Sequence, residues 1–242
     1  VSEYVAAWGR EAERACRAAG PETAEIDALR TRCLDARLRR LSTVVDAFST
    51  ANEHVVRGAV EAAFQLPELE PCADVPALLA TVRPPEDPDR RAALDRLEVA
   101  LADAAVFRLS GDYAEGSAQA EAVVQRARDL DFGSFTAEAL RLQASLEAHR
   151  GHYDVARDLY VEAFELAATA RDDAGAVEAA VALLSVVGSA LQVPAAADAW
   201  ATVAATMLER AGLNRRAAEA RFHQAAGDVA TARGDHARGL SE

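Results

Sequence analysis

From Asp89 onward, apolar residues recur three and four positions apart in stretches of about 15–20 residues separated by short turns, the spacing of helices that bury one face. No stretch shows the single alternation of a half-buried strand. The stretches repeat. Gly111, Gly151, Gln192 and Gly234 stand 40, 41 and 42 residues apart, a period in the range of helical repeats. Seven residues before these anchors come Ala104, Ala144, Ser185 and Gly227, and five after come Gly116, Ala156, Ala197 and Gly239, all small. Two after come Tyr113, Tyr153, Pro194 and His236. Small residues in both columns let the two helices of a hairpin approach closely. Glycine at the anchor suits the left-handed conformation that ends a helix. The ring two positions on is placed to plug the gap beside the turn. One hairpin cannot bury its apolar face alone, so each is expected to stack on the next.

The first 85 residues read differently. An amphipathic stretch from Tyr4 to Ala19 meets a stop at Gly20-Pro21, and a longer one follows, from Pro21 to Phe48. Asn52 is placed to cap a third helix ending near Leu66. The string PELEPCADVP, from Pro67, reads as a loop, Val75 to Val82 as a short helix, and RPPEDPD, from Arg83, as a linker. Two regions are therefore expected: a helical subdomain over 1–85 and about three and a half repeats over 86–242. Because both ends fall within helical pattern, the chain reads as a piece of a longer protein.

Composition sharpens this picture. Hydrophobic residues make up 51% of the 242 residues but aromatics only 5%, which suits closely packed helices rich in alanine. The net charge of -13 repels phosphate backbones and argues against nucleic acid as a partner. Ala179 to Ala197 carries no charge, near the length of a membrane span. Its serines, Gln192 and Pro194 favour a buried helix and turn instead, so no membrane insertion is expected.

RLSGDYAEGSAQAEAVV and AHRGHYDVARDLYVEAFELA resemble tetratricopeptide repeats: a small residue, then G-x-Y, then a small residue three further on. The period exceeds that family's usual length, and the unit with Gln192 lacks the turn glycine. The chain more widely resembles the region that follows the kinase domain and membrane segment in myxobacterial-type serine/threonine protein kinases. YVAAWGREAERACRA, LRTRCLDARLRRLSTVVDAF and AVEAAFQLPELEPCADVPALLATVRPPEDP precede LSGDYAEG in the order seen there. The resemblance implies an all-α, tetratricopeptide-like solenoid of antiparallel hairpins behind a smaller helical subdomain. It also implies a sensing or docking role and no catalysis by this region. A location outside the cytoplasm is implied by the same resemblance; the alternative is a cytoplasmic scaffold.

Candidate chemistry is sparse. DFG at Asp131, Phe132 and Gly133 lacks every other kinase element and reads as a turn, with Gly133 as helix stop and Ser134 as cap. The histidines, including His149 and His152, form no recognisable metal set, and no cofactor is expected. Cys16 and Cys33 are awkwardly placed for a bridge, whereas Cys33 and Cys72 are easier to join through the proline loop; two buried thiols are the alternative. The residues alone lean toward the thiols, and the extracytoplasmic location that the kinase resemblance implies brings the bridge level with them. The remaining candidate is a groove lined by the first helix of each hairpin. Its expected inward positions are Glu98, Leu101, Ala105 and Arg108; Glu138, Arg141, Ser145 and His149; Ala179, Ala182, Val186 and Ser189; and Arg221, Gln224, Asp228 and Thr231. Arg108, Arg141, His149, Gln224 and Asp228 are the candidate contacts to a protein or peptide. Self-association and small-molecule sensing are the competing functions.

Overall fold

The computed structural model describes residues 1–18, 24–49, 52–64, 66–79, 81–211 and 216–235. The expected Gly20-Pro21 stop, His236 and Gly239 lie outside them. Among the described residues every regular element is helical. The order is α1 Ser2–Ala18, α2 Ala24–Ser49, α3 Glu53–Phe64, a 3-10 turn Glu70–Cys72, α4 Val75–Leu79 and α5 Pro88–Ser110. Then come α6 Tyr113–Leu130, α7 Gly133–His149, α8 Tyr153–Thr169, α9 Asp173–Ser185, a π-helical segment Val186–Ala190, α10 Pro194–Arg210 and α11 Arg216–Ala232. Two compact units emerge, one of Val1–Arg83 with Ala102–Asp112, the other of Pro84–Leu101 with Tyr113–Glu242.

In the first unit, α1 packs along α2, and α2 packs against α3, α4 and the 3-10 turn. Leu34, Leu41, Val44, Val55, Leu69 and Leu78 are buried there. The irregular segment before α4 has few backbone bonds of its own, so side chains hold it. The Tyr4 hydroxyl donates to Pro67 O at 2.8 Å and Arg37 Nε donates to Glu68 O at 3.0 Å. Burial pushes the Tyr4 phenol up, with Glu70 adding to the effect and Arg37 opposing it. A disulfide joins Cys33 to Cys72 across 39 positions, while Cys16 is a free, exposed thiol. Asn52 does cap α3, its Oδ1 accepting from Val55 N–H at 3.0 Å, and its Nδ2 donates to Ser110 O at 2.7 Å. The His54 ring lies against Gly111, whose φ is +88°, so both the conformation and the space there call for glycine.

The second unit is built on recurrence. α6 packs on α7, α7 on α8, α8 on α9 and α9 on α10; α9 also touches α7 and α11, its neighbours two helices away. Leu94, Leu97, Val123, Leu140, Leu184 and Val229 join one core, interleaved with alanines that lie wholly out of solvent. The columns of small residues explain the close packing: Ala144 and Ala156 are fully buried, Ala197 nearly so, and Gly116 and Gly227 are buried as well. Charged pairs tie neighbouring helices together, among them Arg128–Glu162 at 2.5 Å and Arg233–Asp198 at 2.8 Å.

The turns recur at half the sequence period. Gly111, Asp131, Gly151, Arg171 and Gln192 all have positive φ, at steps of 20, 20, 20 and 21 residues. At Gly151 the N–H reaches Ala148 O at 3.0 Å and the following His152 N–H reaches Glu147 O at 2.9 Å, the paired bonds of a Schellman cap. Arg171 and Gly234 close their helices in the same way. Gln192, which departs from the glycine pattern, holds the same left-handed conformation, with φ 54°. The longer step before it is absorbed inside the helix. Leu191 N–H bonds to Val186 O at 2.9 Å, a π-type bond, and Val193 N–H reaches Val187 O at 2.8 Å. One extra residue thus becomes a π turn and not a longer helix.

Gly188, within that π segment, sits where α10 and α11 converge. A Cβ there would overlap the Val229 side chain and lie 3.1 Å from the Ala197 Cβ. The helix and π turn together, Asp173–Ala190, form an 18-residue stretch of mean hydropathy 1.4, long and apolar enough to cross a membrane by length and composition alone. Most of it, 61%, is buried within the fold, where Val177, Val181, Leu184 and Val187 belong to the core.

Two local expectations need correction. Ser134 does not cap α7: its hydroxyl donates to Asp172 Oδ2 at 2.7 Å, and the residue that ends α6 is Asp131, not Gly133. Nor does Tyr153 plug its turn, being 39% exposed. Tyr113 alone of that pair finds a ring, stacking on His149 with centroids 4.8 Å apart.

Candidate functional site

The five candidate contacts are not equivalent. Arg108 belongs to the first unit, through Ala102–Asp112; Arg141, His149, Gln224 and Asp228 belong to the second. His149 is exposed but engaged, its ring lying on Tyr113 at 14° between planes. Gln224 and Asp228 are exposed, one turn apart on α11. Arg221, on the same helix, pairs with Glu178 of α9 and so is held within the fold.

Arg141 is the most constrained of them. It projects from α7 toward the start of α9, where Asp172 caps the helix by accepting from Gly175 N–H at 2.9 Å. A Cβ at Gly175 would lie 2.9 Å from Asp172 Cγ and 3.0 Å from Arg141 Nη1, so guanidinium and carboxylate close around the bare glycine. Arg141 Nη1 is buried and makes no hydrogen bond. A buried donor without an acceptor is costly, by about 1–3 kcal/mol, and such groups are uncommon in folded proteins. Ser189 Oγ, in the π segment, is a second such atom. Both fall at positions that the repeat alignment places on the inward face.

A polar cluster that the sequence did not suggest lies at the α7–α8 turn. Glu147 is 6% exposed. Its Oε1 accepts from the buried Ser117 hydroxyl on α6 and from Arg150 Nη1 at 2.6 Å; its Oε2 lies 2.6 Å from His152 Nδ1. Burial pushes this carboxyl up, but the hydrogen bonds from Ser117, His152 and Arg150 outweigh it and hold the group below the usual range. Serine, histidine and an acid thus meet here, yet not in a catalytic order. The carboxylate stands between hydroxyl and imidazole, and Ser117 is only 4% exposed, so no base activates a reachable nucleophile. The cluster braces α6, α7 and the turn. Its only sequence signal is a glutamate three residues before Arg150 and five before His152, which reads as an ordinary helix end.

Among the described residues no group of three or more histidine, cysteine or acidic side chains is placed to hold a metal ion. Asp131, Phe132 and Gly133 form the α6–α7 turn, Asp131 in the left-handed region and Phe132 at the N-cap of α7. No family model matches the chain, and no curated protein or solved structure matches it.

Proposed function

We propose that the second unit is a tetratricopeptide-like array that binds a protein or peptide along the face formed by α7, α9 and α11. The observation that carries this reading is the recurrence of left-handed turn residues about every twenty positions, from Gly111 to Gln192. Helices of near-equal length joined this way, with α9 touching both α7 and α11, present every second helix to one side. Such a face offers an extended segment a succession of side chains. The exposed Gln224 and Asp228 supply polar groups on it. On the strength of the sequence resemblance, the chain is read as a non-catalytic part of a bacterial serine/threonine kinase signalling protein, with no cofactor.

Site-specific photocrosslinking tests the binding face. A crosslinker at Gln224 is expected to capture a defined partner that one at the exposed Glu165 of α8 does not. Equal capture from both positions sinks the assignment. The kinase link is tested separately by reading the full coding sequence: kinase motifs upstream support it and their absence ends it. Self-association is favoured by one observation, the exposure of Val56 and Val60 on consecutive turns of α3, at 67% and 69%. A concentration-independent monomer mass would remove that second reading.

A further inference from the structure

Around α9 several charged side chains are already matched. Arg221 of α11 pairs with Glu178 of α9, and Arg210 of α10 pairs with Asp173 at the start of α9. Two charges of opposite sign are left over, one on each of the helices α7 and α11 that α9 touches. Arg141 of α7 has no hydrogen-bond or ion-pair partner among the described residues. Asp228 of α11 is exposed and is likewise unpartnered among them. We infer that the face takes an extended peptide segment carrying an acidic and a basic side chain about five or six residues apart, the acid on Arg141 and the base on Asp228. This rests on the reading of α7, α9 and α11 as a peptide-binding face.

Arg141 lacks an acceptor although the chain, at a net charge of -13, has carboxylates in excess. The carboxylate beside it, Asp172, is bonded elsewhere: Oδ1 accepts from Gly175 N–H at 2.9 Å and Oδ2 from the Ser134 hydroxyl at 2.7 Å. Of the guanidinium nitrogens only Nη1, lodged against Gly175, is shut off from solvent; Nε and Nη2 stay open. A guanidinium with one edge packed and the other open is held in place for a planar oxyanion, and less freedom is lost when it pairs. Packed helices have axes about 8–10 Å apart, so the step from α7 across α9 to α11 is about 16–20 Å. An extended chain covers that in about five or six residues. Ala182 of α9, at an inward position of the repeat alignment, is partly exposed and small, so a peptide backbone can pass over it. A segment laid the other way round would set acid against Asp228 and base against Arg141, so the charges also fix its direction.

The test is selection of random displayed peptides on the full chain, repeated on Arg141→Glu and on Asp228→Arg. Peptides taken by the parent are expected to share an acidic and a basic residue at that spacing. Arg141→Glu should select a base where the parent selects the acid, and Asp228→Arg an acid where the parent selects the base. A peptide selected on the parent should bind Arg141→Gln at least about tenfold more weakly, and changing the peptide's own acid to its amide should then cost nothing further. Asp228→Arg alters an exposed residue and keeps the test decisive if Arg141→Glu does not fold. Peptides without the charge pair, or a selection that neither variant alters, overturn the inference and leave the face standing as a binding surface. No selected peptide at all overturns the inference together with the reading it rests on.

Discussion

The two units solve one problem by different means. The second builds one core from helices of similar length joined by short turns, and its buried alanines let backbones come close. The first has no such recurrence. Its segment between α3 and α4 is irregular, and it is held by single long-range devices: a disulfide, a phenol, a guanidinium and a capping asparagine. A core shared among many helices spreads stability over many small contacts, whereas an irregular unit concentrates it in a few. The contrast predicts that single substitutions should hurt the first unit most where they remove a staple, and the second only where its period is disturbed.

The chain carries two tryptophans, Trp8 in the first unit and Trp200 in the second, so variants keeping one or the other report each unit separately. The largest effect is expected from Cys72→Ala. Loss of a bridge closing a 39-residue loop should destabilise the first unit by about 3–4 kcal/mol in denaturant while the Trp200 transition stays in place. Equal loss in both would erase the distinction.

Glu147→Ala comes next, since it strands the buried Ser117 hydroxyl and frees Arg150 and His152; about 2–3 kcal/mol of second-unit stability should go. The pH dependence has a definite sign. The folded carboxyl titrates below its unfolded value, so its contribution is complete above the ordinary glutamate range. It is lost as pH falls through the lower, folded value. Acid unfolding followed at Trp200 should therefore be shallower in Glu147→Gln than in the parent; identical slopes would remove Glu147 from the account.

Gly188→Ala should cost about 1–3 kcal/mol by overlap with Val229, and Val229→Ala should recover part of that in a double-mutant cycle. The smallest effect has the opposite sign. Gln192→Gly relieves a left-handed backbone and should raise second-unit stability by up to about 1 kcal/mol, which would bring the atypical turn into line with its glycine neighbours.

The sequence announced the turns at Gly111, Gly151 and Gly234 because glycine advertises a left-handed backbone. It placed the turn after α6 but gave the helix stop to Gly133 and not Asp131, it was silent at Arg171, and Gln192 looked like a defect, because nothing in those side chains reveals the conformation that packing imposes on them. Asn52 was readable as a cap because its role is local. The Glu147 cluster was not, since its key partner, Ser117, lies thirty positions away on another helix. The same holds for Arg141. Its place in the alignment suggested a surface contact, but only the fold shows it closing with Asp172 around Gly175.

The π turn at Val186–Ala190 has one more consequence. An added residue in an ordinary helix swings everything after it about 100° around the axis and would send the downstream apolar stripe to the wrong side. Here the addition is confined to a single loosened turn, and α10 and α11 still meet the core. The segment behaves like an expansion joint, a place where this chain can change its length without changing its phase. A one-residue deletion within 186–190 should accordingly be far better tolerated than the same deletion in the middle of α7 or α8.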